Sequence, residues 1–76
     1  MPETEFNALI DELLDLPRGT LTGTALLEDY GWGSLATVGF VGLADEKFGV
    51  SVVISNLLQC RTVRDLASLL EGRVSV

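Results

Sequence analysis

The sequence predicts an all-α protein: a small four-helix bundle with three main helices, one short helix and a long first loop. Apolar residues recur at helical spacing in three segments. A Pro- and Gly-containing stretch separates the first segment from the second, and the one β-branched run, residues 50–54, has no second run to pair with. At 76 residues the chain reads as a single domain, 1–76. A domain of this size buries only about 60% of its unfolded surface, so its core has to be dense. Its 47% hydrophobic content supplies the material.

In the first segment Phe6, Leu9, Ile10, Leu13 and Leu14 share one helical face, with Asp11, Glu12 and Asp15 assigned to a solvated opposite face. Thr4 or Glu3 begins this helix, where early acidic residues suit the positive end of the helix dipole, and Pro17 and Gly19 stop it. Residues 16–33 form the long connection, anchored by Leu21, Leu26 and Leu27. Connections of this length in compact domains are usually functional or disordered, and the leucines argue against disorder.

Ser34 stands where an N-cap belongs, and the second helix runs from there to Phe48, closed by a left-handed Gly49. Leu35, Val38, Phe40, Val41, Leu43 and Ala44 wrap most of its circumference, and charges appear only in its last turn. A helix apolar all round is either central or docked against something else. Residues 50–54 read as an extended loop, Ser55 caps a short helical turn over 56–60, and Thr62 with Asp65 forms a capping box. That box opens the last helix, whose apolar face is Val63, Leu66, Ala67 and Leu70, ending at Gly72.

Composition removes several function classes. Eleven acidic against five basic residues give a formal charge of −6, which repels phosphate backbones and argues against nucleic acid. There is no histidine, the commonest metal ligand and general base, and one cysteine allows no internal disulfide. Cys60, with no imidazole to activate it, reads as an apolar filler. The adjacent pairs Asp11-Glu12, Glu28-Asp29 and Asp45-Glu46 do not face each other on a helix and read as solvated surface. No metal site and no catalytic centre is expected. The acidic N-terminus is unlike a secretory signal, and the longest uncharged run, residues 30–44, is shorter than the roughly 20 apolar residues of a membrane span. A soluble, cytoplasmic monomer with no membrane partner is the expectation.

One place remains for chemistry. Gly31-Trp32-Gly33-Ser34-Leu35-Ala36 superficially matches a dinucleotide fingerprint, but no strand precedes it. A serine at the start of an apolar helix presents its hydroxyl where backbone N–H groups and the dipole favour an anion, a place suited to a phosphate ester. The plainer alternative is that Ser34 only caps the helix.

The run from Leu26 to Val38 resembles the acyl carrier protein family's segment around its Asp-Ser-Leu motif. Asp45-Glu46-Lys47-Phe48-Gly49-Val50 is similar to the family's helix end, and Thr62-Val63-Arg64-Asp65-Leu66 to its Thr-Val-x-Asp-Leu start of the last helix. The resemblance implies a non-catalytic carrier. A phosphopantetheinyl transferase would link 4′-phosphopantetheine from coenzyme A to Ser34, and the arm's thiol would hold an acyl or aminoacyl group as a thioester. Partners would then include an acyltransferase, an acyl or aminoacyl ligase, or a ketosynthase. The pathway favoured is polyketide or other specialised metabolism. The alternatives are a fatty-acid or peptidyl carrier, or an unprimed helical adaptor that uses the apolar second helix.

Two features depart from the family pattern. The acid before the serine is Gly33, which weakens the expected engagement of the transferase and its metal ion. The charge is also lopsided: residues 1–29 hold seven acids and one base, net −6, while residues 30–76 hold four of each, net 0. The second helix, whose only charges are Asp45, Glu46 and Lys47, is therefore nearly neutral where the family's is typically acidic. Trp32, Gly33, Leu35, Ala36, Val38, Gly39, Phe40 and Gly42 form the candidate partner-binding set around Ser34. Gly39, Phe40 and Gly42 are read either as a low-relief docking face or as close packing within the bundle.

Overall fold

The apolar stripe of the first segment becomes helix α1, Glu3–Leu13, in a computed structural model that describes residues 1–75. Phe6 and Ile10 on this stripe are fully buried. Helix α2 spans Ser34–Phe48, the short α3 spans Ile54–Leu57 and α4 spans Val63–Ser68. A single 3-10 turn, Leu27–Tyr30, interrupts the long connection. The described residues hold four α-helices and no strand, as the fold class predicts. Helix α1 packs against both α2 and α4, and the core between them is built from Phe6, Ile10, Phe40, Leu57, Val63, Leu66 and Leu70.

Aromatic geometry ties α1 to α2. The Phe6 ring meets Phe40 and Phe48 edge-on, with centroids 6.4 and 6.3 Å apart, and Trp32 meets Phe40 at 6.3 Å. Such pairs add about 0.5–1.5 kcal/mol beyond the area they bury.

Helix α1 ends at Leu13, ahead of the proline expected to stop it. The Leu16 N–H donates to the Asp11 carbonyl at 2.8 Å and the Asp15 N–H to the Glu12 carbonyl at 3.1 Å. This is the double hydrogen bond of a Schellman ending, and Asp15 takes its left-handed position at φ 59°.

The expected solvated face of α1 is wrong at Asp11, which is buried to 1% exposure. Its carboxylate accepts the backbone N–H of Gly19 and of Leu21, both at 2.9 Å. Two donors from the long connection thus converge on one helical side chain, and their hydrogen bonds offset its desolvation.

The same connection is fastened at its other end to α4. Leu26 and Thr62 form an isolated antiparallel bridge, and the Leu27 N–H donates to the Arg61 carbonyl at 2.8 Å. The predicted capping box is present: the Asp65 N–H donates to Thr62 Oγ1 and the Thr62 N–H to the Asp65 carboxylate, both at 3.1 Å. Hydrogen bonds from the Arg61 and Thr62 backbones hold the Asp65 carboxyl below the usual aspartate range. The short helix starts earlier than the sequence suggests, with Val53 rather than Ser55 at its N-cap. Helix α4 closes at Ser68 and gives way to turns before Gly72.

The two glycines of α2 part company. A Cβ on Gly39 would lie 2.7 Å from Leu13 Cδ1, so this glycine lets α1 approach α2, whereas a Cβ on Gly42 would meet open space. Gly42→Ala is therefore expected to stabilise the fold by about 1 kcal/mol, the helix-propensity difference. Gly39→Ala is expected to lose that gain to displacement of Leu13; urea denaturation of the two variants measures the contrast. Asp11→Ala is expected to cost about 2–3 kcal/mol, because it leaves two N–H groups without their charged acceptor. Amide hydrogen exchange at Gly19 and Leu21 should accelerate with it.

Candidate functional site

Three local features deliver the chain to Ser34. Gly31 takes a left-handed turn at φ 75°, Trp32 lays its half-buried ring against Phe40, and Gly33 is extended. The Thr37 N–H and the Thr37 hydroxyl both donate to the Gly33 carbonyl at 2.9 Å. Gly33 is therefore the N-cap, and Ser34 is the first residue inside the helix rather than the cap expected from sequence. The shift by one position matters chemically. Ser34 is exposed, and its hydroxyl makes no hydrogen bond among the described residues, so the capping role that competed for it is gone.

The surroundings favour an anion. The N–H groups of the first α2 turn precede the first intrahelical bond and point outward, at the positive end of a 15-residue helix. That turn holds no acidic residue. A Cβ on Gly31 or on Gly33 would meet nothing within 4 Å, so the approach to the hydroxyl is open. Beside it lies a groove of about 610 Å³ between the end of α1 and the start of α2, lined among others by Leu13, Leu14, Asp15, Gly33, Ser34 and Leu35.

The candidate partner-binding set divides. Leu35 is 87% exposed and Val38 68% exposed, and with Gly42 they share the outward face of α2. Phe40 is fully buried and leaves the docking face altogether, because its ring fills the space between Phe6 and Trp32. Ala36 is likewise buried, and Gly39 is taken up by Leu13. Further apolar exposure comes from Val53, Ile54 and Leu58 in and around α3, which the sequence reading did not single out.

Elsewhere little invites chemistry. Cys60 is half-buried, and desolvation together with the Asp65 charge pushes its thiol up, away from the reactive thiolate. Among the described residues no three His, Cys, Asp or Glu side chains gather as a metal site. No helix among them is long and apolar enough to cross a membrane. Sequence reasoning read Asp11 and Asp15 as surface; Asp15 is exposed as expected, and only Asp11 was missed. The available signal for Asp11 was its place four residues after Asn7 and beside Ile10, on the face that turned out to be buried.

Comparison with known proteins identifies a family. The family model described as a phosphopantetheine attachment site matches residues 5–70. No curated protein and no solved structure matches the chain. With a free serine hydroxyl at a helix mouth and a family match over most of its length, the chain belongs to the phosphopantetheine attachment-site family of acyl-carrier type, whose members carry 4′-phosphopantetheine covalently.

Proposed function

We propose that Ser34 is the attachment residue and that the chain is a cytoplasmic carrier. It holds acyl or aminoacyl groups and passes them between the enzymes of polyketide or other specialised metabolism. The observation that carries this reading is the exposed, hydrogen-bond-free Ser34 hydroxyl on the first turn of α2.

In the attachment, supplied by a phosphopantetheinyl transferase, Ser34 Oγ forms the new bond to phosphorus in the diphosphate of coenzyme A. The bond from that phosphorus to the nucleotide's phosphate oxygen breaks, and the serine proton passes to a base of the transferase. The residues present fit the resulting phosphodiester. The free N–H groups of Ser34, Leu35 and Ala36 would hold its charge, and no carboxylate of the first turn opposes it. Glycines on either side of Trp32 leave room for the tether. When attached, the group supplies a terminal thiol on which cargo rides as a thioester. The protein's own part is to hold the anchoring oxygen still, which the Thr37–Gly33 bonds and the Trp32–Phe40 contact do.

The test is intact mass after incubation with coenzyme A and a broad-specificity transferase. One phosphopantetheine is expected on the wild-type chain and none on Ser34→Ala. No gain on the wild type, with a known carrier modified in the same assay, favours an unprimed adaptor instead.

Partners on this reading meet Leu35 and Val38. Their contact is apolar, so affinity for an acyltransferase, ligase or ketosynthase should change little as salt is raised. Leu35→Ser should weaken binding at every salt concentration, by about tenfold if the side chain is fully buried in the complex. A salt titration by calorimetry reads both, and steep weakening with salt counts against the apolar face.

A further inference from the structure

Ser34 is itself part of a groove wall. The groove of about 610 Å³ between the end of α1 and the start of α2 is lined by Ser34 together with Leu13, Leu14, Leu35 and Ala36. Its size falls in the range of roughly 300–1,000 Å³ typical of small-molecule sites. Leu13 and Leu14 are half-buried and Leu35 is exposed, so each keeps apolar surface in water. Glycines at positions 31, 33 and 39 put no side chain into the remaining lining. Asp15 is the one charged group there, exposed and without a hydrogen bond among the described residues.

Whatever is fixed to Ser34 therefore starts within this lining. Inward the way is closed. Ala36, Thr37 and Phe40 are buried, the Phe40 ring is wedged between Phe6 and Trp32, and Leu13 Cδ1 fills the space in which a Gly39 Cβ would sit. The depression lined in part by Leu27, Trp32 and Cys60 does not include the serine. A tether fixed at the edge of a site holds its own far end there at an effective concentration on the order of millimolar, so contacts too weak to retain a free molecule suffice. Phosphopantetheine has matching chemistry, with a gem-dimethyl carbon, methylene runs and secondary amides. The leucines offer cover to its apolar parts, and the Asp15 carboxylate is free to accept an amide N–H.

We infer that the groove between α1 and α2 is the resting place of the prosthetic arm on this chain, with Leu13, Leu14 and Leu35 as its apolar walls. The inference rests on Ser34 being the attachment residue. It lays the arm along the outside of the bundle, on the α1 side of α2, rather than against the exposed Val53, Ile54 and Leu58 in and around α3.

The experiment records nuclear magnetic resonance spectra of the isotope-labelled chain before and after modification with coenzyme A and a broad-specificity transferase, under reducing conditions. The amides of Leu13, Leu14 and Asp15, far from Ser34 in sequence, should shift on modification. Nuclear Overhauser contacts should join the arm's methyl groups to the methyls of Leu13 and Leu14. Leu35→Ser removes one wall from an exposed position and should weaken those contacts while leaving the melting temperature unchanged. An arm that contacts Val53, Ile54 or Leu58 instead, or one with no Overhauser contact to α1, overturns the inference and leaves Ser34 in place. Contacts in Leu35→Ser as strong as those of the wild type also overturn it. A wild-type chain that gains no mass overturns the attachment reading, and this inference with it. The wild-type contacts remain decisive even where the variant is poorly modified.

Discussion

The position of Ser34 depends on Phe40. Its ring is fully buried, six residues into α2, and meets two others edge-on: Phe6 from the centre of α1 and Trp32 from the segment just before the serine. Through this chain of rings the contact between α1 and α2 also fixes the approach to the helix mouth. Trp32 therefore works as an anchor for the turn, with its ring committed to the core edge rather than held free for a partner. A loop without this anchor would leave the serine on a fraying helix end, because the first turn of any helix lacks intrahelical acceptors for its own N–H groups.

A second constraint runs along the other side of the long connection. The buried Asp11 carboxylate gathers the Gly19 and Leu21 amides, while the Leu26–Thr62 bridge pins the far end to the capping box of α4. Between these two fastenings the chain has little freedom, and that is how a connection of this length stays ordered around one 3-10 turn. The arrangement draws on all three of the other long elements. Helix α1 supplies the carboxylate, α4 the cap and bridge, and α2 the helix mouth that the connection must reach.

Much of this was legible in the sequence, for identifiable reasons. The Phe6–Ile10 periodicity, the Gly49 cap and the Thr62–Asp65 capping box are local signals, complete within a few residues, and each appears where the pattern puts it. The helix mouth was legible to within one position. A serine before an apolar run reads as a cap, and only the Thr37 double bond to the Gly33 carbonyl shows that the glycine takes that role. The failures are non-local. Asp11 looks like surface because its partners lie eight and ten residues away, in a loop whose path no periodicity encodes. Phe40 and Gly39 stood open between a docking face and close packing because α2 is apolar on every side, and only the approach of α1 decides which sides are covered.

That apolar character has a consequence for how long partners stay. Leu35 and Val38 are two side chains, each worth about 1.5–3 kcal/mol if fully buried, and association costs at least several kcal/mol in lost freedom. Two anchors of this kind cannot hold a partner tightly by themselves. On the proposed function, such weak retention suits a carrier that visits several enzymes in turn, since slow release from one would block the next. Helix α2 carries its only charges, Asp45, Glu46 and Lys47, in its last turn, so the helix mouth, where the exposed serine and the exposed leucine stand side by side, is uncharged and partly apolar.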